Sequence, residues 1–183
     1  YIEIYVPLSE RHRGKWDANK YRLELSTNNY NLDISEAYTK IEGLQIQVTP
    51  ASANGYSRRA IFLNNGSQGS RISNNIIRKP INAVSTDMSG MSTISSITGS
   101  VYIYNNIVFG FNTGSGEICI HTGSDLLGVK HYVYNNTVND CSIGFHTSYR
   151  DTIAKNNIAQ NSTDGFSPSV EFDAASLIQD LAI

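Results

Sequence analysis

The chain has 183 residues, a mass of 20.2 kDa, a formal net charge of −2 and a pI near 6.1. That balance excludes nucleic acid as a main partner, because phosphate-neutralising proteins carry a basic excess or a dense basic stripe. With 19 Asn, 22 Ser and 14 Gly for turns, and 21 Ile and 11 Tyr for strands, the composition excludes a helical bundle and points to an all-β domain. No stretch is apolar for long enough to span a membrane as a helix.

The chain starts Tyr1-Ile2-Glu3-Ile4-Tyr5-Val6, without Met or a basic leader, and closes on the apolar run Leu181-Ala182-Ile183. Both ends read as cut, processed or covered by another copy. Glu10-Arg11-His12-Arg13-Gly14-Lys15 reads as a solvated loop, within a connection from Arg11 to Lys20 that carries the only Trp. Trp16 is either a sugar-stacking platform or an anchor for that loop. Tyr21 to Leu25 and Asn31 to Ile34 alternate as two short strands.

A repeat then begins. Ile72-Ser73-Asn74-Asn75-Ile76, Ile103-Tyr104-Asn105-Asn106-Ile107, Val133-Tyr134-Asn135-Asn136-Thr137 and Ala154-Lys155-Asn156-Asn157-Ile158 superpose without gaps. Ile41-Glu42-Gly43-Leu44-Gln45 has the same frame with Gly-Leu for Asn-Asn. Anchors at 43, 74, 105, 135 and 156 give periods of a solenoid. Asn suits a sharp turn because it tolerates the left-handed region, and Asn stacked at strand spacing forms an amide ladder. The ladder is expected to comprise Asn74, Asn75, Asn105, Asn106, Asn135, Asn136, Asn156 and Asn157. A laddered Asn135 is inaccessible, which argues against the sequon Asn135-Asn136-Thr137 as a glycosylation site.

Between the anchors, Thr49 to Ser57 and Ser89 to Ser100 read as loops projecting from the wall. Eleven residues past three anchors lie Ser85, His146 and Ser167. The same frame comes five residues late at His121, displaced by the turn formers of Thr113 to Glu117. The predicted outer column is Ser85, His121, His146 and Ser167, followed by Thr86, Thr122 and Thr147. Ile118, Ile120, Ile143 and Phe145 should point inward. Strict alternation puts Cys119 outward and Cys141 near a turn, so the two cysteines are expected to be free. Tyr102, Tyr104, Tyr132 and Tyr134 flank the anchors, with Tyr102 over Tyr132 and Tyr104 over Tyr134. Such columns either bind sugar rings or stiffen the solenoid.

The Asn-Asn frame, with Tyr38-Thr39-Lys40-Ile41-Glu42-Gly43-Leu44-Gln45-Ile46, resembles the right-handed parallel β-helix of the pectin-lyase-like superfamily, which includes polysaccharide lyases and secreted bacterial repeat proteins. The resemblance covers roughly residues 20 to 170. It implies one all-β solenoid domain over 1–183 with five to six coils: strands and a loop over 1–37, regular coils over 38–170 and an end segment over 171–183.

The resemblance also says which chemistry to look for. Hydrolases of the superfamily use Asn-x-Asp, Asp-Asp and Gly-His-Gly strings, and none occurs; Asp87, Asp125, Asp151 and Asp164 are isolated. Lyases use acidic Ca²⁺ ligands or a basic pair beside the uronate carboxylate. As a lyase this chain would use His121 or His146 as base and Arg150 to neutralise the carboxylate, with Lys155 or Arg78 as a second cation and Ca²⁺ as the only cofactor. Two histidines without a third ligand make a poor metal site, so no metal is assigned. The expectation is an extracellular or cell-surface structural or adhesive solenoid. It would stack end to end into a filament and contact polysaccharide or surface glycan through Tyr102, Tyr104, Tyr132, Tyr134 and Trp16. Polysaccharide lyase is the alternative.

Overall fold

A computed structural model describes residues 1–27, 29–50, 58–80, 83, 87–94, 96–114, 116–148, 152–167 and 178–179. Its strands follow one another in threes. The first turn has β1 (Glu3–Tyr5), β2 (Leu23–Thr27) and β3 (Leu32–Ile34), and the second β4 (Lys40–Glu42), β5 (Gln45–Pro50) and β6 (Arg58–Leu63). The third has β7 (Arg71–Ser73), β8 (Ile76–Arg78) and β9 (Met88–Thr93), and the fourth β10 (Tyr102–Tyr104), β11 (Ile107–Phe111) and β12 (Ile118–Thr122). The fifth has β13 (His131–Tyr134), β14 (Thr137–Cys141) and β15 (Ile143–Thr147). The sixth has β16 (Thr152–Lys155), β17 (Ile158–Gln160) and β18 (Asp164–Ser167), and β19 (Ile178–Gln179) follows.

Every third strand is a neighbour, and all pairs are parallel. Sheet A runs β1-β4-β7-β10-β13-β16, sheet B β2-β5-β8-β11-β14-β17-β19 and sheet C β3-β6-β9-β12-β15-β18. The fold is therefore the expected parallel β-solenoid, with six complete coils among the described residues. The strands at Tyr21 to Leu25 and Asn31 to Ile34 are present as β2 and β3. Among the described residues, no helix is long and apolar enough to cross a membrane.

Register explains the core. Sheet A aligns Ile41, Ile72, Ile103, Val133 and Ala154, and sheet B aligns Ile46, Ile77, Val108, Val138 and Ala159. Sheet C aligns Ile61, Met91, Ile120, Phe145 and Phe166. As sheets A and B shrink from Ile to Ala, sheet C grows from Ile to Phe, so each coil fills its interior to close packing. Phe145 and Phe166 stack at 5.0 Å. Each Ile buried in these columns contributes about 2–3 kcal/mol.

The Asn-Asn pairs divide their labour, which corrects the expectation that all eight form the ladder. The first Asn takes the left-handed turn, with φ of 56° at Asn74 and Asn105, 53° at Asn135 and 54° at Asn156. The second is buried and makes the ladder. Asn75, Asn106 and Asn136 each donate Nδ2–H to the Oδ1 of the next, ending on Asn157, at 3.0 Å throughout. The spare amide protons go back to the carbonyls of Ile41, Ile72, Ile103 and Val133. Asn135 is exposed, so burial does not argue against its sequon. At the second coil Gly43 takes the same turn with φ 77°, and a methyl group there would lie 2.3 Å from Arg11 Nε. Gly replaces Asn because Arg11 lies across that corner.

Three other expectations fail. Ser89 to Ser100 is not all loop: Met88–Thr93 is a buried strand between β6 and β12, because Ser and Gly fill narrow interior positions there. Cys119 and Cys141 are not free but form a buried disulfide. Strict alternation misplaces Cys119, since β12 enters at a corner where Cys119 and Ile120 both face the core, while Ile118 and Ile143 are only half-buried. The Cys119 position is glycine in the neighbouring coils, at Gly90 and Gly144, where a methyl group would strike Val108 or Val138. Third, the run from Glu10 to Lys15 is docked: Arg11 bonds Glu42 at 3.0 Å and the Val6 carbonyl, and His12 Nε2 meets the Asn74 carbonyl at 2.8 Å.

Candidate functional site

The outer face of sheet C carries the histidines. Register gives the column Asp33, Phe62, Ser92, His121, His146 and Ser167. Ser92 occupies the position assigned to Ser85, because the connection from sheet B to sheet C is longer in that coil. Ser85, Thr86 and Arg150 lie outside the described residues. Thr122 and Thr147 are adjacent in register but turn inward and are buried.

The His121 and His146 rings lie 4.8 Å apart and are tilted by 37°. His121 Nε2 is hydrogen-bonded to the Ser148 hydroxyl. Burial, together with His146 and Arg59 nearby and opposed by Asp87, holds the His121 pKa down to about 4. Burial also lowers that of His146, against the pull of Asp164. Both rings are therefore neutral near pH 7: bases rather than acids or cations. Among the described residues no group of three His, Cys, Asp or Glu side chains could hold a metal ion.

The tyrosines lie on the outer face of sheet A. Tyr102 and Tyr132 stack at 5.0 Å with planes 6° apart, and the Arg71 guanidinium lies 5.8 Å from the Tyr102 ring. Tyr104 and Tyr134 are in register, but the Tyr134 ring leans on Tyr132 at 5.9 Å. Tyr102 and Tyr132 spend their facing ring surfaces on each other and present edges outward. This suits a stiffening ladder better than a platform for sugar faces. Trp16 lies on sheet B, where its ring takes the Arg78 guanidinium at 3.7 Å. Asp17 and Tyr21 bond the Gln45 side chain, so Trp16 belongs to the clamp that fastens its loop. The structure does not bring Trp16, the tyrosines and the histidines into one site; they occupy three different faces.

A fourth cluster escaped sequence reasoning. Lys79 and Glu117 form an ion pair with both side chains fully buried, at the corner between sheets B and C. Lys79 Nζ also reaches Thr113 Oγ1, and Glu117 Oε2 accepts from the backbone N–H of Thr113 at 2.9 Å and of Gly114 at 3.3 Å. Gly110, with φ 86°, permits the approach, since a methyl group there would lie 2.4 Å from the Lys79 carbonyl oxygen. The available signal was Glu117 itself, the only Asp, Glu, Lys or Arg between Val101 and Ser124. Every donor and acceptor in the cluster is internal, so it holds loops together.

Comparison with known proteins found no matching family model, no matching curated protein and no matching solved structure.

Proposed function

We propose that the chain is an extracellular or cell-surface structural solenoid that joins end to end and contacts glycans with its wall. One observation carries the assembly half: the first coil of these residues presents an apolar crown. β1, β2 and β3 are each the edge of their sheet, with a row of backbone groups facing away from the molecule. Around them Tyr1, Ile2, Tyr5, Leu8 and Tyr21 are exposed, and a depression runs between Ile4, Val6, Leu44 and Tyr21. Solenoids need capping at such ends, and another coil is the surface that fits all three edges at once.

The disulfide supports an oxidising compartment, where such bonds persist. The three-sheet coil with a two-residue Asn-Asn corner supports the finer assignment to the right-handed, pectin-lyase-like β-helix. Sedimentation over a hundredfold concentration range tests assembly: oligomers should grow with concentration and vanish in Tyr5→Lys/Tyr21→Lys. A wild-type chain that stays monomeric throughout would sink the assembly reading.

A second reading, polysaccharide lyase, is favoured by the two imidazoles of His121 and His146 set 4.8 Å apart on one outer face. Unsaturated uronate product, followed by its absorbance and lost in His121→Ala and His146→Ala, would establish it.

A further inference from the structure

We propose that a depression on the outer face of sheet A, lined by Tyr1, Tyr38, Lys40, Gly69 and Arg71, binds an acidic sugar residue, one carrying a carboxylate or a sulfate. The inference rests on the glycan-contact half of the proposed function and gives it a location and a chemical class. It uses a different aromatic surface from the tyrosine ladder, and three independent observations converge on it.

The first is conformational. Tyr38 has φ 58°, and among the described residues it is the only one with left-handed φ that is not Gly, Asn or Asp. A bulky side chain is strained there, whereas Gly or Asn would take the same turn freely. The ring sits on Gly69, where a methyl group would lie 2.5 Å from Tyr38 Cδ1, and it stays 64% exposed. One ring surface is thus pressed to the backbone while the side chain remains open to solvent. Tyr102 and Tyr132 cannot offer this, because their facing surfaces are used on each other.

The second is electrostatic. Lys40 and Arg71 are direct register partners on β4 and β7, which roots two like-charged side chains one strand spacing apart at the backbone, about 4.8 Å. Such pairs are unfavourable unless an anion sits between them. The carboxylate within reach of Lys40 is Glu3 at 3.8 Å, on the far side from Arg71. Arg71 is exposed, and among the described residues it makes no ion pair, only the distant approach to Tyr102. The third is shape: the depression encloses about 460 Å³, within the range of small-ligand sites. Tyr1 walls its outer side, with Lys40 Nζ 4.9 Å from the ring.

The chemistry follows. A pyranose C–H face lies on the Tyr38 ring, and its acidic substituent is shared by Lys40 and Arg71. A net charge of −2 and only two cations disfavour a nucleic-acid backbone as occupant.

Affinity electrophoresis and calorimetry with polygalacturonate, chondroitin sulfate, neutral dextran and duplex DNA test the site. Retardation by one or both acidic polysaccharides but not by dextran or DNA is expected, and the two polymers separate carboxylate from sulfate recognition. Arg71→Gln and Lys40→Gln should each weaken binding about fivefold or more, as loss of one charge-assisted contact implies. Tyr38→Gly should weaken it similarly with the melting temperature unchanged or raised, because the strain is relieved. A merely structural Tyr38 would instead lower the melting temperature and leave binding intact, which would overturn the proposal. So would equal binding of dextran, or DNA binding with the same Arg71 dependence. Wild-type binding that Arg71→Gln leaves untouched would remove this site and spare glycan contact. Absence of any glycan binding would remove both, whatever sedimentation shows about assembly.

Discussion

Between sheets A and B the chain turns in two residues at all five corners from the second coil onward, whereas between sheets B and C it takes from one residue, at Ser142, to nine, at 79–87. The first corner is held by one repeated device, a left-handed residue followed by a buried amide. The second is held by devices used once each: the Lys79–Glu117 pair and the Cys119–Cys141 disulfide. A two-residue turn leaves no freedom in length, so each coil must solve it with the same chemistry. A variable turn lets each coil find its own solution.

The largest expected effect breaks the second corner. Lys79→Met should cost about 4 kcal/mol in urea unfolding, because it strands the Glu117 carboxylate in the interior. Lys79→Met/Glu117→Leu should recover most of that loss, and a double variant as unstable as the single would show that the pair itself supplies net stability. Next comes the first corner. Asn106→Ala removes bonds to Asn75, Asn136 and the Ile72 carbonyl, and should cost about 3 kcal/mol by the same measurement. Its neighbour should respond to backbone freedom instead: Asn105→Gly is expected to stay within about 0.5 kcal/mol of wild type, and Asn105→Val to lose about 1–2. Equal losses at 105 and 106 would refute the division of labour.

The last effect concerns pH. His121 titrates near 4 when folded, below its ordinary 6.5, so between those values the unfolded chain binds more protons. Stability is full above pH 6.5 and falls as pH drops from 6.5 through about 4. His121→Gln should flatten that limb, and NMR titration of the His121 ring should give the lowered midpoint directly.

The same contrast explains what could be read in the sequence. The A–B corners were legible because their two-residue geometry repeats the same letters, from Gly43-Leu44 to Asn156-Asn157. What the letters did not separate was turn from ladder, since both positions are Asn and only burial distinguishes Asn105 from Asn106. Past sheet B the register drifts with loop length, so counting eleven residues reached His146 and Ser167 but stopped at Ser85, short of Ser92. Lys79 and Glu117 sit 38 residues apart in loops of different length, and no period connects them. Cys119 was misplaced for a local reason: alternation holds along a strand but not where the strand rounds a corner. The Tyr38 depression was invisible because it depends on a backbone angle and on an absent side chain at Gly69.

The asparagine ladder also has an arrow. From Asn75 to Asn136 each side chain gives one N–H to the Asn oxygen of the next coil and returns the other to a carbonyl of the preceding one, so the side-chain bonds of the ladder all run the same way. The two faces of a coil are thus chemically unlike: an arriving coil must present an oxygen to one and an N–H to the other. Two solenoids meeting head to head would set like poles together, and those meeting head to tail would continue the current of hydrogen bonds. Any fibre built from this coil inherits that polarity, with distinct ends that need not grow at the same rate.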